Sequence, residues 1–218
     1  MFDHLRSIRQ RDPASPTFAE VLFAYNGYHA MLIHRMNNFI WRIGLRGLAR
    51  FFANIGRILT GIEIHPEANI GKNVFIDHGT GCVIGQTAIV EDDVTMYHGV
   101  TLGGVGKEGQ VNGKRHPTLK KGSTVGAGAQ VLGDITIGER AKVGANSVVT
   151  MDIPDGATAI GIPARVIGQN GHSSGAYGMP SREKMEEVVS TMDDIVCEID
   201  RIKTALNLSN TVSKKDFS

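Results

Sequence analysis

The feature that most constrains this chain is an apolar residue that recurs every six residues between residues 62 and 168. A small or β-branched residue, such as Ala68, Val74 or Ala129, stands four residues after most of these positions. The recurring positions form three runs, which are Ile64, Ile70 and Ile76; Ile84, Val90, Met96 and Leu102; and Leu119, Val125, Val131, Ile137, Val143 and Val149.

A six-residue unit is long enough for one short strand and one turn, and three such units close a triangular coil of about 18 residues. An α-helix would need apolar steps of three and four, and a meander would need a hairpin turn about every 8 to 12 residues. Neither alternative fits so many consecutive steps of six. We therefore predict a parallel solenoid over residues 62–168, interrupted by a polar, glycine-rich excursion over 106–117.

Helices are predicted on both sides of the solenoid. Residues 1–61 carry apolar residues at steps of three and four, for example in Tyr28–Arg42. After a linker over 169–180, residues 181–208 are predicted as a helix, and 209–218 as a tail. The helix has a heptad pattern with core positions Met185, Val188, Met192, Ile195, Ile199, Ile202 and Leu206. Isoleucine at both core positions favours a coiled coil of three or more strands; the alternative is one amphipathic helix packed on its own domain.

Composition excludes several classes of protein. The formal net charge of +1 gives no reason to expect binding to nucleic acid or to an acidic membrane surface. The two cysteines, Cys82 and Cys197, are too few for a disulfide framework, and Cys82 is expected as a small buried apolar residue. No run is long enough to span a membrane, and the N-terminus lacks the apolar core of a signal peptide. These features predict a cytoplasmic protein.

The segment from Ile76 to Thr80 offers candidate chemistry. In the six-residue phase Ile76 and Thr80 face the core, which leaves Asp77 and His78 to point outward. Histidine is the usual general base near neutral pH, although a lone histidine is more often an ordinary surface residue. Glu63 lies about one coil earlier, where it could orient His78. The other histidines, including His4 and His34, are expected at the surface or on helices.

Several motifs together resemble the serine O-acetyltransferase family of hexapeptide-repeat acyltransferases, over residues of about 6 to 168. They are Arg11-Asp12-Pro13-Ala14, Glu63-Ile64-His65-Pro66, Asp77-His78-Gly79-Thr80-Gly81, Thr101-Leu102-Gly103-Gly104, Arg115-His116-Pro117 and Gly161-Ile162-Pro163-Ala164-Arg165. The resemblance implies a left-handed parallel β-helix. It also implies transfer of an acetyl group from acetyl-CoA to L-serine, as the first step of cysteine biosynthesis.

The resemblance assigns roles to the polar residues. It implies that His78 removes the proton from the serine hydroxyl and that Glu63 holds the imidazole, so that serine attacks the thioester directly. Arg115 suits the serine carboxylate through a bidentate pair, and His116 would lie near the same carboxylate or near the reacting centre. Asp77 and Asp12 suit the serine ammonium. An N–H near Gly104 is a candidate for stabilising the oxyanion.

The same resemblance places CoA at Gly104, Ala127, Lys142 and Ala145. Small residues would let the pantetheine arm lie against the coil, and Lys142 would face a phosphate. Simple packing is the alternative reading for the two alanines. A metal site is not expected, since His65, His78, His98 and His116 offer no close pair of ligands.

The expected partners follow from the family. They are acetyl-CoA, L-serine, L-cysteine as an inhibitor, and other copies of this chain in a homotrimer or a multiple of it. The region before the repeats is short for the family, and the sequence ends Lys214-Lys215-Asp216-Phe217-Ser218 instead of in isoleucine, which argues against a complex with O-acetylserine sulfhydrylase. The alternatives are an acetyltransferase for another small hydroxyl or amine, and a non-catalytic scaffold.

Overall fold

A computed structural model describes residues 2–106, 113–167 and 182–205. The chain divides into two compact units, Met1–Met179 and Pro180–Ser218. The predicted linker over 169–180 and tail over 209–218 lie outside the described residues, as does much of the excursion.

Within its described residues the first unit contains a coil of fifteen short strands, thirteen of which pair only in parallel. Sheet A consists of β1 (Glu63–Ile64), β4 (Val83–Ile84), β7 (Thr101–Gly103), β10 (Gln130–Leu132) and β13 (Val148–Val149). Sheet B consists of β2 (Asn69–Ile70), β5 (Ile89–Val90), β8 (Thr118–Leu119) and β11 (Thr136–Ile137). Sheet C consists of β3 (Phe75–Ile76), β6 (Thr95–Met96), β9 (Thr124–Val125), β12 (Lys142–Val143), β14 (Thr158–Gly161) and β15 (Ala164–Val166), with β14 and β15 antiparallel.

The six-residue positions form the core of this coil, as predicted. Leu102, Leu119, Val125 and Ile137 are fully buried, and of the predicted positions only Ile70 is half-buried. Most of the residues four positions later are buried, among them Ala68, Val74 and Ala129, but Thr80 is exposed, so its predicted core position is wrong. Cys82 is fully buried as predicted. Burial raises the pKa of the Cys82 thiol to about 12. Strand β7 ends at Gly103 and strand β8 begins at Thr118, on either side of the predicted excursion over 106–117.

The edge between sheets C and A carries a column of residues in the left-handed conformation. Gly81, Gly99 and Gly128 have φ of 76°, 67° and 70°, and Asn146 continues the column at 56°. A Cβ on Gly99 would lie 3.4 Å from the Cα of Gly128. The positive φ and the close stacking both favour glycine, so this edge has a bare backbone.

Four helices precede the coil: α1 (Phe2–Arg11), α2 (Phe18–Ala24), α3 (Asn26–Arg42) and α4 (Arg46–Thr60). A capping box between Thr17 and Glu20 starts α2. The region 1–61, predicted as helical, thus contains four helices among its described residues. His4 and His34 lie on helices, but both are buried, because these helices pack on sheet C and on each other.

Arg11 fixes the end of α1 to the coil. Its guanidinium donates hydrogen bonds to the carbonyl oxygens of Asn73 and Asp93 and to Oγ1 of Thr95. His4 adds a bond of 2.8 Å between its Nε2 and the Val74 carbonyl oxygen. These contacts determine where the chain lies immediately after α1.

The second unit contains helix α5 (Arg182–Ala205), within the predicted 181–208. Of the predicted heptad positions whose side chains are described, Met192, Ile195, Ile199 and Ile202 are 46% to 64% exposed. Among the described helices, none combines the length and the hydropathy needed to cross a membrane.

Candidate active site

A cavity of about 560 Å³ lies where the N-terminal helices meet the coil. Among the described residues, Asp12, Tyr25, Asp77, His78 and Tyr97 line it, with an apolar floor that includes Ile76 and Gly27. Three of the predicted site residues, Asp12, Asp77 and His78, therefore lie together. A volume of this size holds a small polar molecule such as an amino acid.

Asp12 reaches the cavity from the turn that follows α1. Its Oδ1 accepts the backbone N–H of Ala14 at 2.8 Å, and its Oδ2 accepts the hydroxyl of Tyr25 at 2.5 Å. Burial, together with the hydrogen bond to Asp12, raises the pKa of Tyr25, so its hydroxyl remains a donor. The Asp12 carboxylate thus has a fixed direction.

Asp77 and His78 follow strand β3 at the edge between sheets C and A. The Asp77 side chain is only 19% exposed, and burial and the charge of Asp12 raise its pKa, while His78 lowers it. His78 is 63% exposed, has a left-handed backbone with φ of 58°, and places Nε2 at 3.9 Å from Oδ1 of Asp77. The turn therefore presents the imidazole to solvent beside a carboxylate.

Glu63 does not contact His78 in the described part of this chain. It lies at the start of β1, 54% exposed, and its carboxylate is 3.9 Å from Nε of Arg57. The carboxylate within ion-pair distance of His78 is that of Asp77 instead. The pairing of Glu63 with His78 stays a prediction.

Arg115 and His116 lie at a different corner, between sheets A and B. Arg115 donates from Nη2 to Oε1 of Gln86 at 2.7 Å. The backbone N–H of Thr87 donates to Nδ1 of His116 at 3.2 Å, so neutral His116 carries its proton on Nε2, which faces Gly104. Burial, followed by the charges of Arg115 and Lys114, lowers the pKa of His116.

The proposed CoA residues also divide between these corners. Ala127 and Ala145 lie on the edge between sheets C and A, in the coils that follow His78, and Lys142 lies half-buried on β12. Gly104 lies at the other corner with His116. The extended run from Gly99 to Gly104 separates the two corners by about 16 Å, too far for one serine molecule to contact both in a single chain.

Sequence reasoning missed Tyr25, Tyr97, Gln86 and Thr87 as parts of these clusters. Tyr97 follows β6 at the same register as Asp77 follows β3, so the six-residue phase could have revealed it. Tyr25 gives no such signal, because its position depends on how α2 and α3 pack. No group of three or more histidine, cysteine or acidic residues within the described ranges could hold a metal ion.

Comparisons with known proteins agree on one family. Residues 116–150 match the family model for bacterial transferase hexapeptide (six repeats). The serine acetyltransferase of Mycobacterium tuberculosis is 49% identical over 200 residues, which cover 91% of this chain and 85% of that protein.

Three solved structures similar to this chain are complexes with a bound ligand. A soybean serine acetyltransferase complexed with serine has a TM-score of 0.71 and 44% identity, over 75% of this chain and 66% of that one. A serine acetyltransferase in complex with cysteine has a TM-score of 0.75 and 40% identity, over 80% of this chain and 66% of that one. The serine acetyltransferase of Brucella abortus in complex with coenzyme A has a TM-score of 0.73 and 38% identity, over 78% of this chain and 67% of that one. This chain thus spans about two thirds of their lengths. These matches imply that the coil is left-handed.

Proposed function

Because this chain belongs to the serine acetyltransferase family, we propose that it transfers the acetyl group of acetyl-CoA to the hydroxyl of L-serine. The products are O-acetyl-L-serine and CoA. The observation that carries this proposal is the cavity in which Asp12, Asp77 and His78 converge. We expect the enzyme to work in the cytoplasm, where acetyl-CoA is available.

The cavity suits the amino end of serine. Asp12 and Asp77 present two carboxylates to a cationic ammonium group, and the hydroxyl of Tyr25 holds Asp12 in place. A sugar hydroxyl would not need this doubled negative charge. The two carboxylates therefore favour an amino acid as the acceptor.

His78 is the proposed general base. It lies beside the ammonium site, and removal of the hydroxyl proton lets the serine oxygen attack the thioester carbon directly. Glu63 would hold the other imidazole nitrogen, which requires it to turn from Arg57. An N–H near Gly104 would stabilise the oxyanion.

The carboxylate end of serine needs groups that one chain does not supply at this cavity. Arg115 and His116 lie at the next corner of the coil, about 16 Å away by the span of sheet A. In a threefold assembly of triangular coils, a corner of one copy can meet a different corner of its neighbour. We therefore propose a homotrimer in which Arg115 and His116 of one copy complete the site of the next.

CoA would bind in the same groove between copies. Ala127 and Ala145 leave the edge between sheets C and A open to the pantetheine arm, Gly104 would contact it from the neighbouring copy, and Lys142 would attract a phosphate. The exposed apolar positions of α5 support a further contact between copies as a coiled coil.

L-cysteine differs from L-serine by sulfur in place of the hydroxyl oxygen. It would fit the same carboxylates and the same arginine, and one solved relative is a complex with cysteine. We propose that cysteine inhibits by competing with serine.

The test is acetyl-CoA consumption, followed by thioester absorbance, with L-serine, L-homoserine or glucosamine as acceptors. We expect consumption that requires L-serine, falls with added L-cysteine, and is lost in His78→Ala. Consumption with glucosamine but not serine would preserve the acyltransferase class and overturn the acceptor. Near-normal turnover by His78→Ala would overturn the base assignment.

A further inference from the structure

His98 lies beside the proposed base and has so far been given no role. It is exposed in the turn after β6, one coil further along the chain direction of the solenoid than His78. The two imidazole rings meet edge to face, with centroids 5.9 Å apart and planes at 77°.

The backbone of this edge gives His98 a defined place between two proposed functions. The N–H of Gly99 donates to the carbonyl oxygen of Thr80 at 2.9 Å, and the N–H of Gly128 donates to that of His98 at 2.9 Å. The N–H of Asn146 continues the series by donating to the Ala127 carbonyl oxygen at 2.8 Å. His98 therefore lies between the coil of His78 and the coils of the alanines proposed to hold CoA.

We propose that His98 is a second acid–base residue of the transfer reaction, which protonates the departing sulfur of CoA while His78 takes the proton of serine. This inference rests on the proposed function and assigns the second proton transfer in it. The thioester carbon must lie near His78 to be attacked. Its sulfur then extends toward the coils of Ala127 and Ala145, past His98.

The step balances in atoms and charge. The bond from serine Oγ to the acetyl carbon forms, and the carbon–sulfur bond breaks. The hydroxyl proton moves to neutral His78, and the proton of the His98 imidazolium moves to sulfur. The two imidazoles together carry one positive charge before and after the step. Water can return the transferred proton from His78 to His98, because both rings are exposed.

Acidic and phenolic side chains line the cavity beside the pair. They are Asp12, Tyr25, Asp77 and Tyr97, which line the cavity together with His78. In the proposed step one ring acts as the base and the other as the acid.

The experiment compares the full-length wild type, His98→Gln and the control Lys121→Gln, which removes an exposed cation next to a different edge. The kcat for acetyl-CoA and L-serine is measured across pH. We expect His98→Gln to lower kcat by about a hundredfold, to leave both KM values within about threefold, and to lose the alkaline limb of the pH profile. Lys121→Gln should match the wild type.

A second readout uses the acetyl selenoester of CoA, whose leaving group is less basic and needs little protonation. The difference between wild type and His98→Gln should shrink to within about threefold with this donor, since only the acid step is missing. An equal loss with both donors, or an intact alkaline limb, would overturn the proposal. If the wild type fails with serine, the proposed function itself is wrong; a fully active His98→Gln overturns only the role of His98.

Discussion

The hydroxyl of Tyr25 donates a hydrogen bond to Oδ2 of Asp12 over 2.5 Å. This contact joins the start of α3 to the turn after α1 and directs the carboxylate into the cavity. Tyr25→Phe should lower kcat/KM for serine about tenfold, which corresponds to one hydrogen bond to a charged group, while KM for acetyl-CoA stays constant.

Tyr28→Phe is the matched control for that variant. The Tyr28 hydroxyl is buried and, within the described part of the chain, has no hydrogen-bond partner. Its removal should leave kinetics unchanged and should not lower stability. Equal kinetics for Tyr25→Phe and the wild type would show that Asp12 is oriented without Tyr25.

Arg11 should stabilise the fold and the site together. Arg11→Ala removes four hydrogen bonds between α1 and the coil and should lower the free energy of unfolding by about 3 kcal/mol, measured by urea denaturation. Because Asp12 is the next residue, KM for serine should also rise. Arg6→Ala, at an exposed position of the same helix, should change neither quantity; a comparable loss there would mean that helix content, not the anchor, is responsible.

Gly85 makes room for His116. A Cβ on Gly85 would lie 2.0 Å from Cδ2 of that imidazole, so Gly85→Ala must displace it. We expect kcat/KM for serine to fall at least about tenfold, in line with the loss of an oriented charged contact. On the excursion that carries His116, a Cβ on Gly106 would meet nothing within 4 Å, so Gly106→Ala should keep wild-type activity. Retained activity in both variants would remove His116 from the site.

Asp77 should make stability depend on pH. Burial and the charge of Asp12 raise its pKa in the folded state, so folding favours its protonated form. The stability that protonation brings is present at low pH and is lost as pH rises through the folded pKa. Asp77→Asn should therefore be more stable than the wild type at neutral pH, with the difference vanishing on acidification, although it no longer binds serine. Thermal unfolding from pH 4 to 8 measures this; a constant difference would show that Asp77 carries no such penalty.

The coil could be predicted from sequence because its rule is local. Each strand position, such as Leu102 or Val131, repeats a six-residue unit, and the register follows from counting. The grouping of the site was harder. Asp77 follows a strand of sheet C and Arg115 precedes one of sheet B, so the two lie at different corners, a separation that the motifs alone do not reveal.

The position of Asp12 could not be predicted from any period. It depends on Arg11 reaching carbonyl groups of residues 62 and 82 positions away. The burial of His4 has the same origin, because its partner is the Val74 carbonyl oxygen. Contacts of this length arise from packing and leave no regular trace in the sequence.

The anchoring of α1 to the base of the coil has one further consequence. His78 and the glycine edge belong to the six-residue repeat of the solenoid, where a change in one coil disturbs the adjacent coils. Asp12 and Tyr25 lie in the helical region before the repeat begins. Part of the acceptor site is thus built outside the repeats, while Asp77, Arg115 and His116 belong to them. Substitutions before residue 26 should therefore be able to alter recognition of the ammonium group while the coil that carries His78 keeps its fold.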